Sequence, residues 1–291
     1  MEILWFVGAL LLSSLRMSVP LVFAGLGGFF SERSGVINIA LEGLLLIGAF
    51  FGATVAHLTG SPWLGLLSAV GAGILYAALY AFFVIRLKSD QIVTGTALNI
   101  LAVGMIPFLS KKLFDSTGST PALSLEERFT WEPVFLMFFG LIITHLWFTK
   151  TRSGLWLNFA GEHPKALESS GINPRKVRWM AVLSSGAITA IGGATLSLFL
   201  ASSYSPLMSA GRGFMALAAL ISGGWRPLPM AGMCLFFGLM DAIQIRLQGV
   251  ELAGVSIPVQ FIQIIPYAIT IMILSGFVGR SRAPGALGQP L

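Results

Sequence analysis

Apolar runs long enough to cross a bilayer follow one another along almost the whole chain, and that pattern admits few folds. A crossing needs about 20 mainly apolar residues when it is helical. In lipid every backbone amide must find its partner within the protein, which leaves helices or a closed barrel. Such runs are expected at Leu11–Phe30, with an apolar lead-in from Ile3, and at Val36–Ala56, Trp63–Ile85, Ile92–Leu109, Val134–Phe148, Trp179–Leu200, Phe214–Gly223, Met230–Leu247 and Val259–Val278. The fold class that follows is all-α, a polytopic bundle of about nine spans (eight to ten) in a single transmembrane domain over residues 1–291. The seventh run is too short to cross unaided and reads as a half-helix. Glu2 stands where a signal peptide would carry bases, and no small-residue cleavage site follows, so the first run reads as a retained span.

Composition narrows the function. Only 10% of the 291 residues are charged and 55% are hydrophobic, where a soluble chain carries about 25% charged residues. The 34 glycines suit helices that approach closely in lipid. A net charge of +6 raises the question of nucleic acid. The bases are scattered over loops, however, and read as an orientation signal and as lipid contacts. The single cysteine, Cys234, excludes a disulfide within the chain and a cysteine-built metal site. No G-x-x-x-x-G-K-[ST] or H-E-x-x-H occurs, and His57, His145 and His163 lie far apart, so neither an ATP-cradling loop nor a metal or other cofactor is expected.

One polar island, residues 151–178, interrupts the pattern. Arg152, Lys165, Arg175, Lys176 and Arg178 outnumber Glu162 and Glu168 there, which assigns the island to the cytoplasm by the positive-inside tendency. Pro164 to Ser170 suits a short helix, with Pro in its first turn and Gly171 as its stop. Alternation then puts Arg33, Arg86, Lys88, Arg226, Arg280 and Arg282 inside as well. Lys111, Lys112, Arg128 and Arg212 fall outside, against the trend.

Polar residues inside the spans mark where function resides. Glu42 and Asn38 are four apart and share a helix face. A charge at helix centre costs about 2.5–3.5 kcal/mol on insertion scales, so it faces protein or a watery cavity. Two readings stand: this face borders a route for a polar solute, or it ties helices together. Asp241, with Gln244 and Arg246 nearby, reads as locally paired. Gln91, Gly95 and Asn99 form a polar stripe, and Gln260 and Gln263 precede Pro266. Amides suit sugar hydroxyls or a nucleobase edge; their alternative use is interhelical bonding worth about 0.6–2 kcal/mol each. Phe214, in the glycine-flanked seventh run, is expected beside the pathway near Asn38–Gly43, because short interrupted segments surround transporter binding sites. The expected pathway set is Asn38, Glu42, Gln91, Asn99, Phe214 and Gln263.

Ser31-Glu32-Arg33-Ser34-Gly35-Val36-Ile37-Asn38-Ile39-Ala40-Leu41-Glu42-Gly43 resembles the second-span signature of bacterial ABC-importer permeases of the ribose/branched-chain amino acid type. The likeness continues through Ser89–Asn99, Gly161–Pro174, Gly211–Pro227 and Gln244–Gln248, and looks most like the shorter permease subunit of nucleoside importers. The resemblance implies a multi-pass inner-membrane permease that does no covalent chemistry. Gly161–Gly171 would be a coupling helix docking on a separate ABC ATPase subunit through Gly161, Glu162, Pro164, Lys165, Ala166, Glu168 and Gly171. Its Ala166-Leu167-Glu168-Ser169-Ser170-Gly171 departs from the E-A-A-x-x-x-G form of other importer permeases. A second, longer permease and an extracytoplasmic substrate-binding lipoprotein would complete the assembly. A simple sugar is the alternative substrate, and a secondary transporter the rival class.

Overall fold

The computed structural model describes residues 2–116, 118–247, 251–252, 255–256, 264, 268, 272 and 282–290. The helices are α1 (Glu2–Arg33), α2 (Leu41–Thr59), α3 (Pro62–Ala81), α4 (Gln91–Phe114), α5 (Glu132–Lys150), α6 (Arg152–Glu162), α7 (Pro164–Ser169), α8 (Pro174–Thr195), α9 (Arg212–Ser222) and α10 (Pro227–Leu247). A π-helical turn continues α3 over Phe82–Arg86 and another continues α8 over Leu196–Leu200. A two-residue antiparallel pair joins Glu251–Leu252 to Val255–Ser256.

Among the described residues seven helices are long and apolar enough to cross a membrane: Val7–Arg33, Leu41–Thr59, Pro62–Arg86, Gln91–Phe114, Glu132–Lys150, Pro174–Leu200 and Pro227–Leu247. The apolar lead-in from Ile3 belongs to α1, one continuous 32-residue helix that contains the first of these spans. Ile264, Ala268 and Met272 are helical; the rest of the expected ninth span, with Gln260, Gln263 and Pro266, lies outside the described residues. The seventh run forms the 11-residue α9, roughly 16 Å at 1.5 Å per residue, about half a bilayer core.

Local chemistry sets the ends of these helices. Asp90 Oδ1 accepts the N–H groups of Ile92 and Val93 at 2.9 Å each, capping α4. Asn173 Oδ1 does the same for Arg175 and Lys176 at 2.9 and 3.4 Å, ahead of Pro174 in the first turn of α8. Side-chain acceptors at these positions satisfy amides that have no partner in the helix.

The centre of the bundle is α2 and α8, each 72% buried over its apolar window, against 22% for α4 and α5. In lipid, helices gain by packing closely on small residues. A Cβ at Gly48 would overlap the Ala190 backbone, and Cβ atoms at Gly73 and Gly186 would each lie 2.5 Å from the other's carbonyl oxygen. Ser197 Oγ adds a bond to the Ala49 carbonyl at 2.8 Å.

Beyond α8 the chain turns back. The carbonyls of Leu198, Ser202 and Tyr204 accept N–H groups from Phe129, Leu123 and Thr120 in the α4–α5 connection, which fixes the start of this stretch at the end of the bundle away from Arg33. By Gly211 the chain has reached Glu42, and α9 then runs on until Trp225 Nε1 donates to Glu32 Oε2 at 2.7 Å. Irregular residues 201–211 and α9 thus traverse the bundle together.

Widening Gly48 to Leu forces α2 and α8 apart, where overpacking alone costs about 1–3 kcal/mol. Fluorescence-detected size exclusion is expected to show loss of the monodisperse peak for Gly48→Leu. The peak is expected to persist for Gly71→Leu, whose Cβ would meet nothing within 4 Å.

Candidate functional site

Between α1 and α2 the chain unwinds at Ser34–Ala40, yet Ser34, Gly35, Val36, Asn38 and Ala40 are buried. Irregular backbone away from water needs a partner for every amide and carbonyl. Gln91 Oε1 accepts Ile37 N at 2.7 Å, and the Tyr80 hydroxyl donates to the Ile37 carbonyl. Asn99 bridges twice: Nδ2 donates to the Ile39 carbonyl at 3.0 Å and Oδ1 accepts Gly43 N at 2.8 Å. Asn38 Oδ1 accepts Ala40 N at 3.1 Å while Nδ2 donates to Ser185 Oγ at 2.9 Å. The Gln91–Gly95–Asn99 stripe of α4 therefore faces the break, and Asn38 sits within it.

Glu42, the second residue of α2, reaches the start of α9. Its Oε1 accepts Gly211 N and its Oε2 accepts Gly213 N, both at 2.7 Å. The first amides of a helix lack internal partners and carry the positive end of its dipole, so the carboxylate caps α9 from outside. Each hydrogen bond to a charged group is worth about 1.5–3 kcal/mol. The approach is so close that a Cβ at Gly213 would lie 2.5 Å from Glu42 N. Phe214, the next residue, is half exposed. Gln263 lies outside the described residues.

Arg212 and Asp241 depart from expectation. Arg212 Nη2 lies 3.5 Å from Asp241 Oδ2, with the two side chains only 18% and 12% exposed. Asp241 thus pairs across helices with Arg212, a partner the sequence did not indicate. Arg212 belongs to the interior and not to an outer loop. The cause is the irregular 201–211 stretch, which carries the first residue of α9 deep into the bundle before helix begins.

The residue 151–178 island contains the expected short helix, α7, ended by Gly171 at φ 84°, and a second helix, α6, that the pattern did not reveal. Its site residues divide into two groups. Gly161 is buried, with no room for a Cβ beside the Arg33 carbonyl. Glu162 Oε1 lies 3.2 Å from Arg33 Nη1, and its Oε2 accepts Gly285 N at 3.0 Å. Lys165, Ala166, Glu168 and Gly171 are exposed, Pro164 is half-buried, and Leu167 beneath them anchors α7. A cleft of 510 Å³ lies between α7 and the 285–288 turn, with Lys165, Glu168, Arg175 and Arg178 in its walls.

Arg178 is buried at the base of that cleft, bonded to main-chain carbonyls. Nε donates to Ser34 at 3.0 Å, Nη1 to Gln289 at 2.6 Å, and Nη2 to Ala160 and Ala286 at 3.3 Å. The 285–288 turn completes the junction: Ala286 N donates to the Gly161 carbonyl at 2.7 Å and Gly288 N to the Gly35 carbonyl at 3.0 Å. Counted by sequence, Arg178 is one more loop base. The available signal is its register, three and four residues before the buried Ala181 and Val182. Trp225 and Tyr80 carry no comparable signal, since aromatic residues in apolar runs read as lipid anchors.

The family described as "Branched-chain amino acid transport system / permease component" matches residues 10–275. The guanosine ABC transporter permease protein NupQ of Bacillus subtilis is 34% identical, covering 100% of this chain and 98% of NupQ. The nucleoside ABC transporter permease protein NupC of Lactococcus lactis is 36% identical over 93% of this chain and 92% of its own. The glucose ABC transporter permease protein TsgB13 of Haloferax volcanii is 26% identical over 91% and 76%. The matched region takes in the α1–α2 break, Glu42 and the α6–α7 surface, and the chain is a multi-pass membrane protein of the branched-chain amino acid transport system permease component family.

Proposed function

We propose that this chain is a permease subunit of an ATP-driven importer for nucleosides, acting beside a second, non-identical permease and fed by a substrate-binding lipoprotein. The observation that carries the substrate class is the full-length likeness to two permeases named for guanosine and for nucleosides. A simple sugar is the second reading, favoured by the more distant likeness to a permease named for glucose. In this reading the 201–222 stretch is one broken crossing and the α6–α7 end lies in the cytoplasm.

ATP hydrolysis belongs to a separate subunit docking on the exposed face of α7, through Lys165, Ala166 and Glu168. Contacts on the inner side of the same loop support its role as a lever. Gly161 and Glu162 bear on Arg33, Arg178 holds the Ala160 and Ser34 carbonyls together, and the break leads to Glu42 and α9. A push on α7 would be felt at a half-helix that opens the interior, a rearrangement between discrete packings. In the same reading the route passes Asn38, Glu42, Gln91, Asn99 and Phe214, with Gln263 assigned to it by sequence alone. The amides of Asn38 and Asn99 and the Glu42 carboxylate are engaged with the break and with α9, so they shape the route rather than bind the solute.

Three results test this reading. Proteoliposomes holding the full complex are expected to accumulate labelled nucleoside on ATP addition, with unlabelled nucleosides competing and glucose not; the reverse pattern would install the sugar reading. A cysteine at Ser169 is expected to react only with reagents on the cytoplasmic side and to cross-link to the ATPase, since the native Cys234 is buried. Glu42→Gln is expected to lower both uptake and the thermal unfolding midpoint, and Glu42→Ala to do so further. Leaving a buried N–H unpaired costs about 1–3 kcal/mol. Unchanged melting with lost uptake would assign Glu42 to the route alone.

A further inference from the structure

A groove of 460 Å³ runs along α8, away from the Ser34–Ala40 break and Glu42. Its walls come from the ends of α1 and α5, from α6, and from three turns of α8. From Asn173 to Ser184 it extends about 16 Å at 1.5 Å per residue, so it rises from the loop end well into the apolar layer. Its upper walls are apolar, with Phe30, Trp147, Val177 and Met180. At its mouth stand Ser153 and Lys176, with the exposed Lys150 and Arg152 on the α5–α6 link next to Ser153. Met180, two-thirds exposed, leaves the upper part open to the side.

This graded polarity fits one kind of occupant. We infer that the groove holds an anionic phospholipid of the cytoplasmic leaflet, one acyl chain lying against α8 and its phosphate at Lys176 and the neighbouring bases. Tryptophans at the apolar–polar boundary, here Trp147 and Trp156, are suited to the headgroup level. Clustered bases at that level select negative lipids over zwitterionic ones. α6 forms one wall, so a lipid seated here touches the same loop whose far side carries α7. The bound headgroup would brace α6 against α8. The inference rests on the cytoplasmic placement of this end, which labelling at Ser169 tests separately.

Native mass spectrometry of the intact complex in micelles doped with phosphatidylglycerol or phosphatidylcholine reads the site directly. Phosphatidylglycerol is expected to remain bound to the permease at higher collision energy than phosphatidylcholine. Lys176→Gln is expected to weaken the phosphatidylglycerol adduct about fivefold, the equivalent of about 1 kcal/mol for one base near a membrane surface, and to leave the phosphatidylcholine adduct unchanged. Ser184→Trp, which plugs the apolar end, is expected to remove both. Adducts of equal strength for the two lipids, or a phosphatidylglycerol adduct indifferent to both substitutions, would overturn the assignment. So would a cysteine at Met180 that cross-links to the ATPase, since the groove would then be a protein contact. Lys176 is exposed and capped through its backbone, so its substitution tests the headgroup without disturbing the fold.

Discussion

Backbone that leaves the helix inside an apolar bundle has to find its hydrogen bonds in the protein, and the Ser34–Ala40 break finds them in side chains and amides from α3, α4, α8 and the 285–288 turn. Unpaired, those amides and carbonyls would each cost about 1–3 kcal/mol, so the break is possible only where its partners already stand. It follows that Gln91, Asn99, Tyr80 and Arg178 are placed by one requirement. The positions of α4 and of the α6–α7 loop are fixed by it as well.

Charge around the break obeys a second rule. The Arg178 guanidinium lies where α1 and α6 end, on the carbonyls of Ser34 and Ala160. The Glu42 carboxylate lies where α2 and α9 begin, on the amides of Gly211 and Gly213. Helices present negative ends to the cation and positive ends to the anion. Each buried charge is thereby held by peptide dipoles, through several directional hydrogen bonds and not by one opposite charge.

Much of this was legible beforehand, and the exceptions share a cause. Apolar length exposed the long helices and the shortness of α9, because a bilayer sets a minimum that sequence either meets or does not. Pro164 and Gly171 marked α7 through backbone chemistry alone. Spacing of four announced that Gln91 and Asn99 act together, though not what they hold. The same spacing misled for Asn38 and Glu42, because α2 begins only at Leu41, and Asn38 in the break bonds Ser185 while Glu42 bonds the start of α9. What the sequence hid depends on contacts between separate elements: Arg212 with Asp241, Trp225 with Glu32, Arg178 with the 285–288 turn. No local period encodes a partner on another helix. The irregular 201–211 stretch was invisible for a related reason, since its polar and small residues look like any loop until Glu42 is found at its end.

The way the interior charges close on one another has an electrical consequence. Glu42 is met by the partial positive charge at the start of α9, and Arg212, one residue along, by the full opposite charge of Asp241 on α10. Moving one elementary charge through the membrane field is worth about 2.3 kcal/mol per 100 mV. A displacement that carries Arg212 and Asp241 together moves no net charge from that pair, so the membrane potential does not act on it. Parting the two would expose each to the field.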